Sequence, residues 1–411
     1  MQFNDKNRHF IDDFYINFVN EKTFFIFAND FILDNMITIT RDLHQKITEN
    51  IQPNKVVMIF GARRVGKTIL LNHIVKQFTG KTLILNGEDY DALALLANRS
   101  IANYRNLLNG IDLLVIDEAQ NIPDIGAKLK LMVDEVQGIK IMVSGSSSFD
   151  LFNKSGEPLV GRSIMFHLTT FSKSEISQIE NRLQTLQNLE IRLIYGSYPE
   201  VVLMNNNDQR KEYLKNIVNA YLLKDILTVD GIKNASKMKE LLQLIALQMG
   251  SEVSYEELAR RLGMSKNTVE KYLDLLSKTF VIYRLGAFNS NLRKEVTKAG
   301  KWYFYDVGIR NALIGAFNAL SMRQDVGALW ENYLISERLK KNLNERKDSM
   351  LYFWRTYDGQ EIDLIEVYNG EIGAFEFKWG HKQPEIPVAF AQNYPYAKYH
   401  VVNKNNYLEF I

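Results

Sequence analysis

The sequence predicts an α/β fold: a mostly parallel sheet with helices on both faces, then a helical region and a second, smaller α/β domain. Three observations lead there. Between Val56 and Leu168 short apolar strands alternate with helix-length polar or amphipathic segments, the pattern of a sheet buried on both sides. The first strand runs into a glycine-bounded turn in KVVMIFGARRVGKTILL, Lys55 to Leu71. Near the end of the chain a helix and two strands carry acids and a lysine at recurring positions.

At 411 residues the chain exceeds one ordinary core, and its length suggests about two to three domains. Apolar residues make up 46% and charged residues 24%, a globular composition with no large disordered share expected. The net charge of +2 excludes a uniformly basic coat, so any nucleic-acid surface must be a local patch. Cysteine is absent. Disulfides, thiolate metal sites and cysteine nucleophiles are thereby excluded, and a reducing interior fits. The opening residues MQFNDKNRHF lack the pattern of a leader, and no apolar run is long enough for a membrane span. The expectation is a soluble cytoplasmic protein without a membrane partner.

Residues 1–34 form an aromatic-rich extension (Phe10, Phe14, Tyr15, Phe18, Phe24, Phe25, Phe27, Phe31) broken by charges. It is expected to pack on the main body or to pair with a second copy. Apolar spacing from Ile37 to Ile51 predicts a helix leading into the loop. The strand Val56–Phe60 then ends at Gly61, which permits a sharp turn, and Gly66 lets backbone approach a phosphate. The loop Gly61, Ala62, Arg63, Arg64, Val65, Gly66, Lys67 and Thr68 has the G-x-x-x-x-G-K-T spacing. Its amides and the helix N-terminus beyond it make an anion nest suited to a polyphosphate. Lys67 is placed to reach the β- and γ-phosphates and Thr68 to set its hydroxyl on Mg²⁺.

Further strands are expected at Thr82–Leu85, Leu113–Ile116, Lys140–Val143 and Ile164–Leu168. Asp117 and Glu118 follow the apolar Leu113–Ile116. Two carboxylates there call for a cation: Asp117 for the Mg²⁺ shell, Glu118 to orient and polarise the attacking water. Ser144, ending the fourth strand, is a candidate contact for the γ-phosphate or the water. Arg162 is the candidate cation that stabilises the transferring phosphoryl, supplied in cis or by a neighbouring subunit. Action in trans would require a homo-oligomer.

A helical, polar-rich stretch with a turn at YGSYPE (Tyr195 to Glu200) follows. Residues 237–285 carry a helix, a short helix ending at Gly263, a recognition-type helix SKNTVEKYLDLLSKTF and a strand VIYRL. That order predicts a winged helix. Lys266, Asn267 and Lys271 on its outer side are candidate DNA contacts. Beyond it, WENYLISERL places Glu331 near a helix start, EIDLIEV carries Asp363, and FEFK carries Glu376 and Lys378. Strand alternation sends Glu376 and Lys378 to one face, where Asp363 can join them around a second divalent metal, as in nucleases.

GARRVGKT, LLVIDEAQ, VSGSSS, the GR followed by FSKSE, YGSYPE, FYDVGIRNAL, GALWENYL and FWRTYDGQEIDL with FEFK are found together here. This set resembles prokaryotic AAA-type (AAA+) P-loop ATPases that carry a C-terminal winged-helix and restriction-endonuclease-like region of unassigned function. The match runs from about residue 37 to the end, while the aromatic segment before residue 35 departs from the compact family start. The resemblance implies ATP binding by Gly61 to Thr68, Mg²⁺ and water handling by Asp117 and Glu118, and a nuclease-like domain around Glu331, Asp363, Glu376 and Lys378. The expected order is thus the extension 1–34, an AAA+ domain 35–170, a helical lid or linker 171–236, a winged helix 237–295 and a nuclease-like domain 296–411.

Three functions fit these readings. The first is an ATPase acting on DNA. The second is a nucleotide-gated switch for a protein partner with a silent nuclease-like scaffold, and the third is a metal nuclease licensed by ATP.

Overall fold

The computed structural model describes residues 39–146, 159–222, 235–288 and 300–411, with two short strands at Asn17–Phe18 (β1) and Thr23–Phe25 (β2). The chain forms two compact units. One comprises residues 1–38, 43–60 and 66–167, the other residues 39–42, 61–65 and 168–411.

The first unit is built on Val56–Phe60 (β3), Thr82–Asn86 (β4), Leu113–Asp117 (β5), Lys140–Gly145 (β6) and Ser163–His167 (β7). These strands pair in parallel in the order β4-β5-β6-β3-β7, so β6 lies between β3 and β5. Every residue of β3 is buried, because parallel neighbours flank it and helices cover the faces. The strand β2 pairs in parallel with β4, and β1 adds to it antiparallel, so part of the aromatic extension lengthens this sheet. Phe10, Phe14, Tyr15, Phe27 and Phe31 lie outside the described residues, as do residues 147–148 of VSGSSS.

The helix expected from Ile37 is shorter, at Leu43–Glu49. Thr40 and Arg41 do not join it, because they bond to partners far along the chain.

In the second unit short helices lead to Ala235–Leu247, Tyr255–Leu262 and Lys266–Lys278. Serine caps start the last two, with Ser254 accepting from Glu257 N and Ser265 from Thr268 N. Gly263, at φ 62°, ends the first of that pair. The antiparallel strands Ile282–Ala287 (β8) and Lys301–Phe304 (β9) follow, and residues 289–299 between them lie outside the described residues. The rest of the sheet is Met350–Arg355 (β10), Glu361–Tyr368 (β11), Glu371–Phe377 (β12) and Lys398–Val402 (β13), ordered β13-β12-β11-β10-β8-β9. Trp354, Ile362, Ile365, Ala374 and Phe390 form a core on it.

The divisions expected at 236/237 and 295/296 do not separate compact bodies. The strand β8 pairs in parallel with β10 through Tyr352 opposite Gly286 and Phe353 opposite Ala287. The helical module and the later strands therefore share one sheet, and a cut at 295/296 would fall inside the β8–β9 pair.

Two of the motifs lock together here. Gly196 of YGSYPE has φ 73°, and a Cβ on it would lie 1.9 Å from Asp306 Oδ1. A Cβ on Gly308 of FYDVG would lie 2.2 Å from the Tyr195 carbonyl. Only glycine admits so close an approach. Asp306 accepts from Ser197 N at 2.8 Å and Gly308 N at 2.8 Å, while Asn311 donates to the Leu193 and Ile194 carbonyls. These two glycines and the polar residues around them thus have a packing reason.

Candidate functional site

In the first unit the candidate residues gather at the carboxyl ends of the parallel strands, where α/β sheets bind ligands. Gly66, at φ 94°, stands immediately before the helix Lys67–Gln77. The Gly66 N-cap contributes no side-chain bond to that helix, and a helix N-terminus is a favourable place for an anion. Lys67 is buried at 5% exposure, while Thr68 is exposed.

Asp117 is the hub. Its Oδ2 accepts from Thr68 Oγ1 at 2.6 Å. Its Oδ1 accepts from Ser144 Oγ and, at 3.0 Å, from Glu118 N. Hard oxygen donors on Thr68 and Asp117 suit Mg²⁺, which keeps several waters and takes few protein ligands. Ser144 is fully buried against the carboxylate and also accepts from Glu118 N at 3.3 Å; the sequence assigned it to phosphate or water instead. Glu118 is held at φ 50°, a left-handed conformation that turns its side chain off the strand direction. Gln120 donates to the Glu118 carboxylate, and its own carbonyl accepts from Ser146 N at 3.3 Å. Gln120 belongs to LLVIDEAQ, but nothing in the local sequence marks it for the site.

Arg162 is not with them. It precedes β7, and its carbonyl accepts from Val56 N at the amino end of β3. Strand rise of about 3.3 Å per residue puts it roughly 16 Å from the carboxyl ends. Its guanidinium bonds Asp134 at 2.6 Å. A cis role at the phosphate does not fit, because the residue starts its strand where the site needs one that ends it.

In the second unit Gly61 abuts the chain after β7, since a Cβ there would lie 2.0 Å from the Leu168 carbonyl. Ala62 and Arg63 are half-buried, Val65 is buried, and Arg64, exposed at φ 65°, lies 3.8 Å from Glu200.

The later acids meet cations of the protein itself. Glu331 sits in the second turn of the helix Val326–Glu345, which starts a turn earlier than expected. Its carboxylate accepts from Tyr303 Oη and lies 3.4 Å from Lys301 Nζ. Lys301, 1% exposed, also pairs with Glu361. Burial alone would lower the Lys301 ammonium, but Glu331 and Glu361 outweigh it and hold it above the usual lysine value. Asp363 accepts from Phe377 N at 2.7 Å. Burial, then Glu331 and Glu376, raise its carboxyl well above the ordinary range. Glu376 pairs with Lys378 at 2.5 Å, so both do lie on one side, with Lys378 one residue past β12. Among the described residues no group of three or more Asp, Glu, His or Cys side chains is arranged to hold a metal ion. The sequence reading missed Lys301, Tyr303 and Glu361; the one available signal was a lysine opening the apolar strand KWYF.

On the helix Lys266–Lys278, Lys266, Asn267 and Lys271 are all exposed, and Lys266 pairs with Glu256 at 2.5 Å. That contact raises the lysine and lowers the glutamate. Among the described residues no helix is long and apolar enough to cross a membrane.

A family model described as an AAA domain matches residues 53–177. That segment resembles AAA-type domains, and its parallel sheet flanked by helices fits a P-loop fold. Two models for domains of unknown function, DUF8612 and DUF4143, match residues 186–320 and 326–410. Most of the chain is similar to proteins described as uncharacterized. An uncharacterized protein of Mycobacterium tuberculosis is 27% identical over 348 residues, 84% of this chain and 74% of that protein. One from Methanocaldococcus jannaschii is 24% identical over 400 residues, 88% of this chain and 84% of its own. Among solved structures, a RuvB mutant from Thermotoga maritima overlaps 56% of this chain and 82% of its own at 18% identity and a TM-score of 0.29, too low to carry functional weight.

Proposed function

We propose that the AAA-type domain binds ATP with Mg²⁺ and hydrolyses it. The observation that carries this reading is the Asp117 carboxylate, set between the Thr68 hydroxyl and Ser144 beside Glu118. Thr68 and Asp117 would hold Mg²⁺, which when bound neutralises charge on the phosphate oxygens. Lys67, after the Gly66 turn, reaches the β- and γ-phosphates. Glu118 aligns the water and accepts its proton as the water adds to the γ-phosphorus and the bond to the bridging oxygen breaks. Ser144 positions Asp117, and Gln120 orients Glu118. Phosphate release from wild type beside Glu118→Gln tests this: the variant keeps nucleotide binding and loses turnover, and near-normal hydrolysis would sink the role of Glu118.

We also propose that turnover couples to DNA through a winged helix made of the helices Ala235–Leu247, Tyr255–Leu262 and Lys266–Lys278 with β8 and β9, with Lys266, Asn267 and Lys271 facing the nucleic acid. Three helices followed by an antiparallel strand pair support that reading. Turnover indifferent to duplex and single-stranded DNA would move it to a protein-directed switch.

For the nuclease-like region 296–411 the silent scaffold is favoured over a metal nuclease. Lys301 supplies the cation that Glu331 and Glu361 require. Nicking of supercoiled plasmid with Mg²⁺ or Mn²⁺, lost in Glu376→Ala, would reverse that preference.

A further inference from the structure

We infer that Arg41 is a positioning residue for the phosphate loop, tying it to the turn Thr169–Glu175 and through that turn to the long helix Val326–Glu345. The inference rests on the reading of Gly61–Thr68 as a nucleotide loop.

Arg41 is 7% exposed, and its planar guanidinium is spent on three partners. Nε donates to Glu175 Oε1 at 2.8 Å, Nη1 to the Val65 carbonyl at 2.7 Å and Nη2 to the Thr169 carbonyl at 2.7 Å. The guanidinium also lies over the Phe171 ring at 5.0 Å. A buried ion pair is weak support for stability by itself, and its best-attested use is to specify one arrangement.

The arrangement specified here is that of one peptide plane. Val65 is bonded to Gly66, and in a planar trans peptide the carbonyl and the following N–H point opposite ways. By fixing the Val65 carbonyl, Arg41 fixes the direction of the Gly66 N–H, an amide the phosphate nest needs. Gly66 at φ 94° would otherwise leave that plane easy to rotate.

The turn that holds Arg41 is itself anchored. Glu175, fully buried, closes a capping box with Ser172 and accepts from Asp42 N at 3.0 Å. On the long helix, Glu337 accepts from Lys173 N at 2.9 Å, and Lys340 donates to the Phe171 carbonyl at 3.1 Å and to Glu337 at 2.7 Å. Asn344 of the same helix donates to Asp42 at 3.0 Å. Glu337 and Lys340 are each 3% exposed, so the bonds are shielded from competing water. A shift of the Val65 peptide on nucleotide binding therefore loads the turn and then the helix that carries Glu331.

The test is Mg-ATP affinity of the full chain in Arg41→Lys and Arg41→Gln, with Lys67→Ala as the reference. Loss of a buried charged donor predicts about tenfold or greater weakening in Arg41→Gln. Arg41→Lys keeps the charge without the planar fork and is expected to stay folded, by an unchanged thermal midpoint, while recovering only part of the affinity. A folded Arg41→Lys that binds as tightly as wild type overturns the inference. Hydrogen exchange on wild type gives a second readout that needs no variant. Saturating Mg-ATP should protect amides in 169–176 and 337–344, and no change in 169–176 overturns the inference. Unchanged affinity in Lys67→Ala would instead bring down the nucleotide reading beneath it.

Discussion

Asp117 and Asp363 both stand on apolar strands with a second acid close by, yet the protein treats their charges in opposite ways. The donors on Asp117 named above are neutral: two hydroxyls and an amide. They orient the carboxylate and leave its charge available to a cation from outside. Around Asp363 the acids are met by Lys301 and Lys378, and Asp363 itself is pushed toward its neutral form. Acid clusters alone therefore do not define a metal centre. Whether the nearby donors carry charge decides between a seat for a cation and a closed ionic network.

The largest effect should come from the first site. Removing a general base costs about 10²–10⁴-fold in rate, so Glu118→Gln should lose at least a hundredfold in phosphate release with nucleotide affinity intact. Second is Lys301→Met, which leaves the part-buried Glu331 without its cation and Glu361 with only the exposed Arg355 at 3.7 Å, and should destabilise the fold by about 3 kcal/mol, measured by denaturant unfolding. If Mg²⁺ or Mn²⁺ rescued this variant, the acids would be a cation seat after all and the contrast would collapse.

Third is the pH response of Asp363. Its folded pKa lies above the unfolded value, so its favourable contribution is complete below the unfolded pKa and is lost as pH rises through the folded one. Asp363→Asn, which cannot ionise, should therefore raise the thermal midpoint at neutral pH and lose that advantage under acidic conditions. An equal gain at both pH values would mean that packing, not ionisation, governs the site. The smallest effect belongs to Lys266→Ala, which breaks an exposed pair and should leave the thermal midpoint unmoved. If the helix meets DNA, the same variant weakens binding and reduces the salt slope by about one.

Much of the first site was legible because its chemistry is local. A strand, two glycines, a lysine and a threonine fall within one short stretch, and Asp117 and Glu118 end an apolar run. What escaped was set by pairing. Arg162 reads as a site arginine until β7 is registered against β3, which shows it at the start of its strand. Lys301 is invisible because β9 reaches the later acids only through β8 and the β8–β10 pairing. Arg41 acts on Glu175, 134 positions away, and no periodicity announces a contact of that separation.

The parallel β8–β10 pairing also bears on how this protein can be dissected. A fragment beginning at residue 326, where the last family match starts, would retain β10 but lose β8 and β9. It would present a raw sheet edge at Tyr352 and Phe353, and Glu331 and Glu361 would be stripped of Lys301. Open edges of that kind recruit other chains. Insolubility of such a fragment would report a severed sheet and not an unstable domain, whereas one cut before residue 235 keeps the sheet whole.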